Sequence, residues 1–373
     1  MEVYKHIRYA TAGRFEEPIQ ARYSEGTAVL TQTKGCPQGP FRLNFLMGEP
    51  EPMTLSEDCL FLNIWTPSRT GRYPVLVWIH GGAYVAGSGE EAAYDGGALC
   101  LQGNMVVVTI SYRLGAFGYL YSEEVGIRNL GMKDQITALR WVKTNIARFG
   151  GDADRVTVGG HSVAAIIASC REPLFRKAII QSAPLDMCTG RKDGKALYSM
   201  MLKAAGKPLD ALSADELLEA QKSAIKQSRS MMPFSPVDPD FSGRVSVPSL
   251  ESVLVTWQKD DASPFVALAL KHQDCYGSFI DRIATRAASQ KVFGRPAKRY
   301  ARALTAAGTP TETLCMDWRP KGSPFGACHC LELSLLFGSW ERWKGAKMLG
   351  KTSKKEWGEK ANKLRERWIE FIK

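Results

Sequence analysis

Two short, almost continuously apolar segments constrain the fold more than any other feature of the chain. Residues 75–79 (VLVWI) and 105–110 (MVVVTI) show no alternation with polar positions, which is typical of strands buried on both faces of a parallel sheet. Similar runs follow at 156–158 and 178–180. Residues 133–149, between the runs at 105–110 and 156–158, carry apolar side chains at helical spacing. Strands that alternate with helices predict an α/β fold with a mostly parallel, doubly wound sheet.

The alternation stops between residues 190 and 261. Two helical segments at 196–205 and 214–226 and a proline-rich loop at 233–239 occupy this range, so we expect an inserted helical lid over the sheet. The chain would then consist of an N-terminal core part at 1–189, the lid at 190–261 and a C-terminal core part at 262–373. In this last part we predict strands at 265–270 and 312–316 and helices at 292–307, 329–337 and 353–372.

Basic residues concentrate after about residue 280, and the chain has a formal net charge of +11. Such a segment can bind nucleic acid or an acidic membrane. However, Trp357, Ala361 and Trp368 recur at helical spacing, and Ser353 precedes Glu356 as in a capping box. We therefore expect an amphipathic helix packed on the body of the protein, and no nucleic-acid partner.

Composition argues against a membrane span, a secretory signal and a metal cofactor. No run of roughly 18 apolar residues is present, and no apolar signal segment follows the first residues. The nine cysteines are scattered and odd in number, so we expect reduced thiols and a cytoplasmic location. Cys328, His329 and Cys330 resemble a metal cluster, but their one-residue spacing suits zinc poorly. We predict neither a metal nor an organic cofactor.

Residues 156–164 (VTVGGHSVA) indicate catalytic chemistry. A β-branched run, a glycine pair, a serine and small residues form the strand–turn–helix order that exposes a nucleophilic serine above a sheet. Ser162 is the candidate nucleophile. The usual G-x-S-x-G pattern ends in glycine, whereas this chain has Ala164. A catalytically impaired protein that binds ligands or partners is therefore the alternative to an active enzyme.

A nucleophilic serine needs a histidine as base and a carboxylate that orients the histidine. In α/β hydrolases the chain order is serine, acid, histidine, and only His272 and His329 follow Ser162. His329 comes after the predicted strand at 312–316 and begins a predicted helix, so we favour it as the base. His161 adjoins the serine, and we expect it to have a packing or supporting role.

Six motifs bring the chain close to a known family. They are E-D-C-L-F-L-N at 57–63, W-I-H-G-G-A-Y at 78–84, S-Y-R-L-G-A-F-G at 111–118, N-L-G-M-K-D-Q at 129–135, F-G-G-D at 149–152 and G-A-C-H at 326–329. From about residue 7 to 340 the chain resembles a shortened type-B carboxylesterase, of the carboxylesterase/cholinesterase family. The resemblance implies an α/β-hydrolase fold and hydrolysis of a small-molecule carboxylic ester through an acyl-enzyme on serine. It leaves the substrate and the oligomeric state open.

Carried over position by position, the resemblance makes Ser162 the nucleophile and His329 the general base. It assigns the oxyanion-hole donors to the backbone of Gly82, Ala83 and Val163. Two further residues, Gly81 and Glu332, would lie next to these groups and help to position them without contacting the substrate.

The acid is the least constrained member of the set. The family usually places a glutamate after a strand between the lid and the histidine, and this chain has none there. Asp274 is the carboxylate that follows the predicted strand at 265–270, so we predict Asp274 as the triad acid. Asp260 and Asp261 precede that predicted strand and fit less well.

Overall fold

An eight-stranded sheet runs through the described part of the computed structural model, which comprises residues 1–24, 33–161, 170, 172–237, 250–274 and 276–373. In chain order the strands are β1 (Glu2–Arg8), β2 (Phe61–Thr66), β3 (Tyr73–Ile79), β4 (Val106–Ile110), β5 (Gly151–His161), β6 (Lys177–Gln181), β7 (Ser252–Gln258) and β8 (Thr311–Met316). Their order across the sheet is β1-β2-β4-β3-β5-β6-β7-β8. β2 alone runs opposite to the other seven strands, since it pairs antiparallel with both β1 and β4, so the predicted mostly parallel α/β sheet is confirmed.

Helices cover both faces of this sheet. Those described are α1 (Asn44–Met47), α2 (Gly97–Gly103), α3 (Gly115–Tyr119), α4 (Leu130–Asn145), α5 (Arg191–Ala205), α6 (Ala214–Gln227), α7 (Ser263–Ala269), α8 (Phe279–Ser289), α9 (Arg295–Ala306), α10 (Leu331–Leu336), α11 (Trp340–Trp343) and α12 (Lys354–Ile372). In β3, Val75 and Val77 pack into the core that includes α4, whereas Leu76 and Trp78 pack into the core that includes α12. Successive side chains of a strand point to opposite faces, and both faces are buried, which explains the absence of polar alternation.

One predicted strand is wrong, and the error matters for the site. Residues 265–269 belong to helix α7, and Leu270 is its C-cap; the helix begins at Ser263 and has Pro264 in its first turn, where proline is well tolerated. The strand that precedes this helix is β7, a β-branched run (SVLVTWQ) that pairs with β6 and β8. Because β7 belongs to the central sheet, the inserted segment must end before Ser252 and not at residue 261.

The helices of the predicted lid lie close to their expected positions. α5 and α6 pack against each other, and Ser213 caps α6 in a reciprocal pair with Glu216. The side chain of Gln221 on α6 accepts a hydrogen bond of 2.7 Å from the backbone N–H of Ala116. The lid is thereby tied to α3, the short helix that follows β4.

The basic C-terminal segment is the expected amphipathic helix. Trp357, Ala361 and Trp368 of α12 are buried in the core, and Ser353 accepts the backbone N–H of Glu356 at its start. Burial of this face agrees with packing on the body of the protein. Within the described ranges, every helix is too short or too polar to cross a membrane.

Two of the sequence motifs meet at a buried ion pair. Arg113, from the motif at 111–118, donates from Nη2 and Nε to the two carboxylate oxygens of Asp134 at 2.7 and 2.9 Å. Asp134 belongs to the motif at 129–135 and is fully buried. The Arg113 guanidinium also donates to the backbone carbonyl of Glu16 at 2.8 Å. This bond attaches the N-terminal segment to the region that follows β4.

Candidate active site

Functional side chains gather where the parallel strands end. His80 follows the last residue of β3, and His161, Gln181 and Gln258 are the last residues of β5, β6 and β7. The carboxyl ends of parallel strands meet at one edge of the sheet, which is where open α/β sheets bind their ligands.

The central contact is a pair between His329 and Asp261. His329 Nδ1 donates to Asp261 Oδ1 over 2.6 Å. The other oxygen, Oδ2, accepts two further bonds of 2.8 Å, from Ser182 Oγ and from the backbone N–H of Gln258. The Asp261 side chain is fully buried, whereas 13% of the His329 side chain remains exposed. Three donors therefore fix a carboxylate behind an imidazole whose Nε2 remains available for proton transfer.

The prediction that Asp274 orients the histidine is wrong in its geometry. The Asp274 side chain is 92% exposed and pairs with Lys347 Nζ at 3.0 Å. The misassigned strand caused this error, because the true strand is β7, and Asp261 follows the last residue of β7 in a tight turn. The alternating run of β-branched residues before Asp261 is the sequence signal that identifies the correct strand.

The other candidates considered from the sequence lie away from this pair. His272 is half exposed and its Nδ1 is 3.5 Å from Asp281 Oδ1. Asp260 binds the guanidinium of Arg319 through both oxygens and accepts the backbone N–H of Ala327. The structure thus brings together Asp261 and His329 but not His272 or Asp274.

A second buried pair lies beside the first. His161 Nε2 contacts Glu332 Oε1, and Glu332 also accepts bonds from the side-chain amides of Gln181 and Gln258. Burial alone would lower the pKa of His161, but the Glu332 carboxylate and the Cys330 sulfur together outweigh it and raise the pKa to about 9. Glu332 was expected to support His329; its direct partner is instead His161, whose ring centroid is 4.9 Å from that of His329.

Cys330 points into the space between the two histidines. Its Sγ lies 3.9 Å from His161 Nδ1, and its side chain is buried. Burial alone would raise the pKa of the thiol, but the charges of His329 and His161 outweigh it and lower the pKa. The backbone of Cys330 has φ +68°, a left-handed conformation that is strained for any residue with a Cβ.

The loop after β3 has three consecutive residues with positive φ. Gly82, Ala83 and Tyr84 have φ values of +124°, +54° and +62°. The loop is fastened at both ends: Tyr112 Oη donates to the carbonyl of His80 at 2.9 Å, and the backbone N–H of Gly115 donates to that of Tyr84 at 2.7 Å. Such consecutive positive φ values turn backbone N–H groups toward one side of the loop.

Gly81 and His80 lie at the start of this loop. A Cβ on Gly81 would lie 2.8 Å from the Cβ of His161, so Gly81 permits the loop to approach the end of β5. His80 donates to its own neighbour, with Nδ1 2.8 Å from the carbonyl of Gly81. Burial lowers the pKa of His80 to about 4, so it stays neutral near pH 7 and shapes the loop.

Gly82→Ala is expected to disable the loop. A Cβ at this position would lie 1.8 Å from the carbonyl oxygen of Ala86, and the φ of +124° is itself unfavourable for alanine. The loop must shift, and loss of one oxyanion donor lowers kcat by about 10²–10³-fold. Steady-state kinetics measure this loss, with Gly126→Ala as the control because its φ is also positive but nothing lies within 4 Å of its Cβ. Equal losses in the two variants would contradict the assignment of the loop.

Ser162, Val163 and Ala164 lie outside the described residues. The predicted nucleophile, its oxyanion donor and the helix expected after them therefore stay predictions. His161, the residue bonded to Ser162, is described and is the last residue of β5.

Comparison with known proteins decides the family. Residues 1–274 match the carboxylesterase family. The chain belongs to the carboxylesterase family. It is 33% identical over 401 aligned positions to the probable N-octanoylanthranilate hydrolase AqdA2 of Rhodococcus erythropolis, with 99% of this chain and 88% of that protein covered. It is 31% identical over 388 positions to the para-nitrobenzyl esterase of Bacillus subtilis, with 91% of this chain and 78% of the relative covered.

Solved carboxylesterase structures have the same fold. A thermophilic para-nitrobenzyl esterase superposes with a TM-score of 0.84 at 28% identity, covering 99% of this chain and 86% of that one. A carboxylesterase of Geobacillus stearothermophilus gives a TM-score of 0.76 at 28% identity, with the same coverage. The chain is thus an α/β hydrolase, and its family activity is the hydrolysis of carboxylic esters.

Proposed function

We propose that this carboxylesterase uses Ser162 as its nucleophile, His329 as its general base and Asp261 as the carboxylate that orients His329. The observation that carries the proposal is the buried Asp261–His329 pair at the carboxyl edge of the sheet. β5 ends at this edge immediately before Ser162. A histidine held by a carboxylate next to a serine is the arrangement that activates a hydroxyl.

Each step of the proposed reaction has a named group. Asp261 keeps the Nδ1 proton of His329 in place, so the Nε2 lone pair accepts the proton of Ser162 as its oxygen attacks the ester carbonyl. Backbone N–H groups of Gly82 and Ala83 stabilise the oxyanion. The His329 imidazolium then protonates the departing alcohol, and the acyl group stays on Ser162. Water activated by His329 releases the carboxylic acid and restores the serine.

Hydrolysis of chromogenic esters tests this proposal. The purified chain is assayed with p-nitrophenyl acetate, butyrate and octanoate, and separately with the amide N-octanoylanthranilate, because a relative is named as a probable hydrolase of that compound. Ser162→Ala should lower kcat by about 10⁶-fold. Ser199→Ala, at an exposed position of α5, serves as the matched control. Absence of hydrolysis throughout the panel, or an unchanged rate in the Ser162 variant, would contradict the proposal and favour a ligand-binding protein.

The pH profile should report the charge around His329. Burial alone would lower the pKa of His329, but the Cys330 sulfur and the Asp261 carboxylate outweigh it and raise the pKa well above the usual range. The base acts in its neutral form, so activity rises as the pH increases through this pKa. We expect the acidic limb of the pH profile of kcat/KM to have its midpoint above about 6.5, the ordinary histidine value. A chelator in the assay keeps metal ions away from the imidazole.

Cys330→Gly isolates the contribution of the sulfur. Removing it lowers the pKa of His329, so the acidic limb should move to lower pH. A limb at or below the ordinary histidine value, or a limb that the substitution leaves in place, would contradict this account.

A further inference from the structure

We propose that His161, His329 and Cys330 form a binding site for a single zinc ion, and that bound zinc switches the esterase off. The metal site itself stands on the geometry of these three residues, and the effect on the rate rests on the proposed role of His329. Zinc was not expected from the sequence, because spacing drew attention to Cys328 and Cys330. In the folded chain the third residue of the group is His161, the last residue of β5, and not Cys328.

The three ligand atoms are close enough to share one ion. One nitrogen from each histidine and the Cys330 sulfur all lie within 4.8 Å of one another. The sulfur is 3.9 Å from His161 Nδ1. In a zinc tetrahedron with Zn–S about 2.3 Å and Zn–N about 2.0 Å, sulfur and nitrogen are about 3.5 Å apart. The contact between Cys330 and His161 is therefore within a few tenths of an ångström of this value, and separations of up to 4.8 Å within the group must shorten by about 1 Å when the ion binds.

Both histidines already have the partners that histidine ligands of zinc usually have. Glu332 contacts Nε2 of His161, and Asp261 accepts from Nδ1 of His329. Each carboxylate fixes the ring and leaves the opposite nitrogen, His161 Nδ1 or His329 Nε2, toward the shared space. A carboxylate behind a metal-binding imidazole sets its tautomer and strengthens it as a ligand.

The third ligand selects the class of metal. A cysteine sulfur with two imidazoles suits zinc and other late transition metals, and it suits magnesium or calcium poorly. The backbone of Cys330 has φ +68°, a conformation that glycine adopts without strain but that is unfavourable for a residue with a Cβ. This backbone places the sulfur between the rings. The partly exposed His329 side chain provides the route of entry.

Occupation of the site is incompatible with catalysis. Zinc on His329 Nε2 uses the lone pair that takes the serine proton. Zinc at this position eliminates the contribution of the histidine to the triad, as His329→Ala would, and lowers kcat by about 10⁶-fold. Three protein ligands leave a fourth position open, and a chelator can reach the ion and remove it.

Cobalt titration tests the site without reference to activity. The full chain is stripped with a chelator and titrated with Co²⁺, which occupies zinc sites and gives a charge-transfer absorption when a thiolate is bound. We expect this absorption to saturate at one equivalent and to disappear when Zn²⁺ is added. Cys330→Gly should abolish it, whereas Cys315→Ala, which removes an exposed thiol, should retain it. Absence of the band, or a band that survives Cys330→Gly, overturns the site.

A histidine variant provides an independent check. His161→Gln keeps an amide that can donate to Glu332 and removes the second nitrogen ligand. It should weaken zinc binding by more than the roughly 10–100-fold that follows loss of a carboxylate behind a histidine ligand. His272→Gln, which changes an exposed histidine outside the cluster, should leave the affinity unchanged. If the His161 variant does not fold, the Cys330 variant alone decides.

Esterase rates separate this proposal from the assignment of function. Each variant is compared with its own rate in chelator, and saturating zinc should inhibit the wild type reversibly while Cys330→Gly resists the same concentration. A Cys330-dependent cobalt band in a protein without esterase activity would refute the proposed function and retain the site. Esterase activity without the cobalt band would retain the proposed function and refute the metal site. An active esterase that binds zinc through Cys330 at an unchanged rate would refute the inhibition.

Discussion

His329→Ala is expected to lower kcat by about 10⁶-fold, because a serine and its histidine act as a unit and removal of either eliminates nearly the whole contribution of the triad. The structure gives this histidine a buried carboxylate partner and a place beside the end of β5. KM should change little, since the imidazole acts on the proton of the serine and does not bind the ground-state substrate.

His272→Ala is the matched control. It is the other histidine that follows Ser162 in the chain, and its half-exposed ring faces Asp281 on α8. We expect kcat/KM to stay within about twofold of the wild-type value, as for ordinary surface substitutions. Steady-state rates with a p-nitrophenyl ester measure both variants, and comparable losses would contradict the assignment of the base.

Asp261→Asn is expected to lower kcat by about 10⁴-fold while the fold is preserved. Two donors, Ser182 Oγ and the backbone N–H of Gln258, converge on Oδ2 of the native aspartate. The amide oxygen of the new side chain must take that position, so its NH₂ group faces His329 Nδ1. The histidine then carries its proton on Nε2, which is the wrong tautomer for accepting a proton from serine.

Asp274→Asn provides the comparison that separates the two assignments of the acid. Asp274 is exposed and forms a surface pair with Lys347, an interaction that contributes little in water. We expect an unchanged rate and pH profile for this variant, and a large loss of kcat with an altered profile for Asp261→Asn. The opposite result would restore Asp274 as the triad acid.

The central sheet was predictable from the sequence because its strands are buried on both faces. β3 and β4 are short, close to uniformly apolar and rich in β-branched residues, which favours strands buried on both faces over helices. β7 carries a β-branched run, but it lies within the range 190–261 that the helical segments and the proline-rich loop assign to the lid. Pro264 marked the following segment as a helix start.

The site was predictable to the extent that it depends on local motifs. The loop at 80–84 and His329 carry their own signatures, and the structure places them near one edge of the sheet. The Asp261–His329 and Glu332–His161 pairs join residues more than sixty positions apart. Such pairs depend on the register of β5, β6 and β7, and spacing along one chain does not specify that register.

The central claim is that Ser162 is an activated nucleophile, and covalent labelling tests it most directly. The protein is treated with a fluorophosphonate, digested and analysed by mass spectrometry. The account predicts one phosphonyl adduct on the peptide that contains Ser162, lost in Ser162→Ala and formed far more slowly in His329→Ala than in His272→Ala. An unlabelled protein, or an adduct on a different residue, would contradict it.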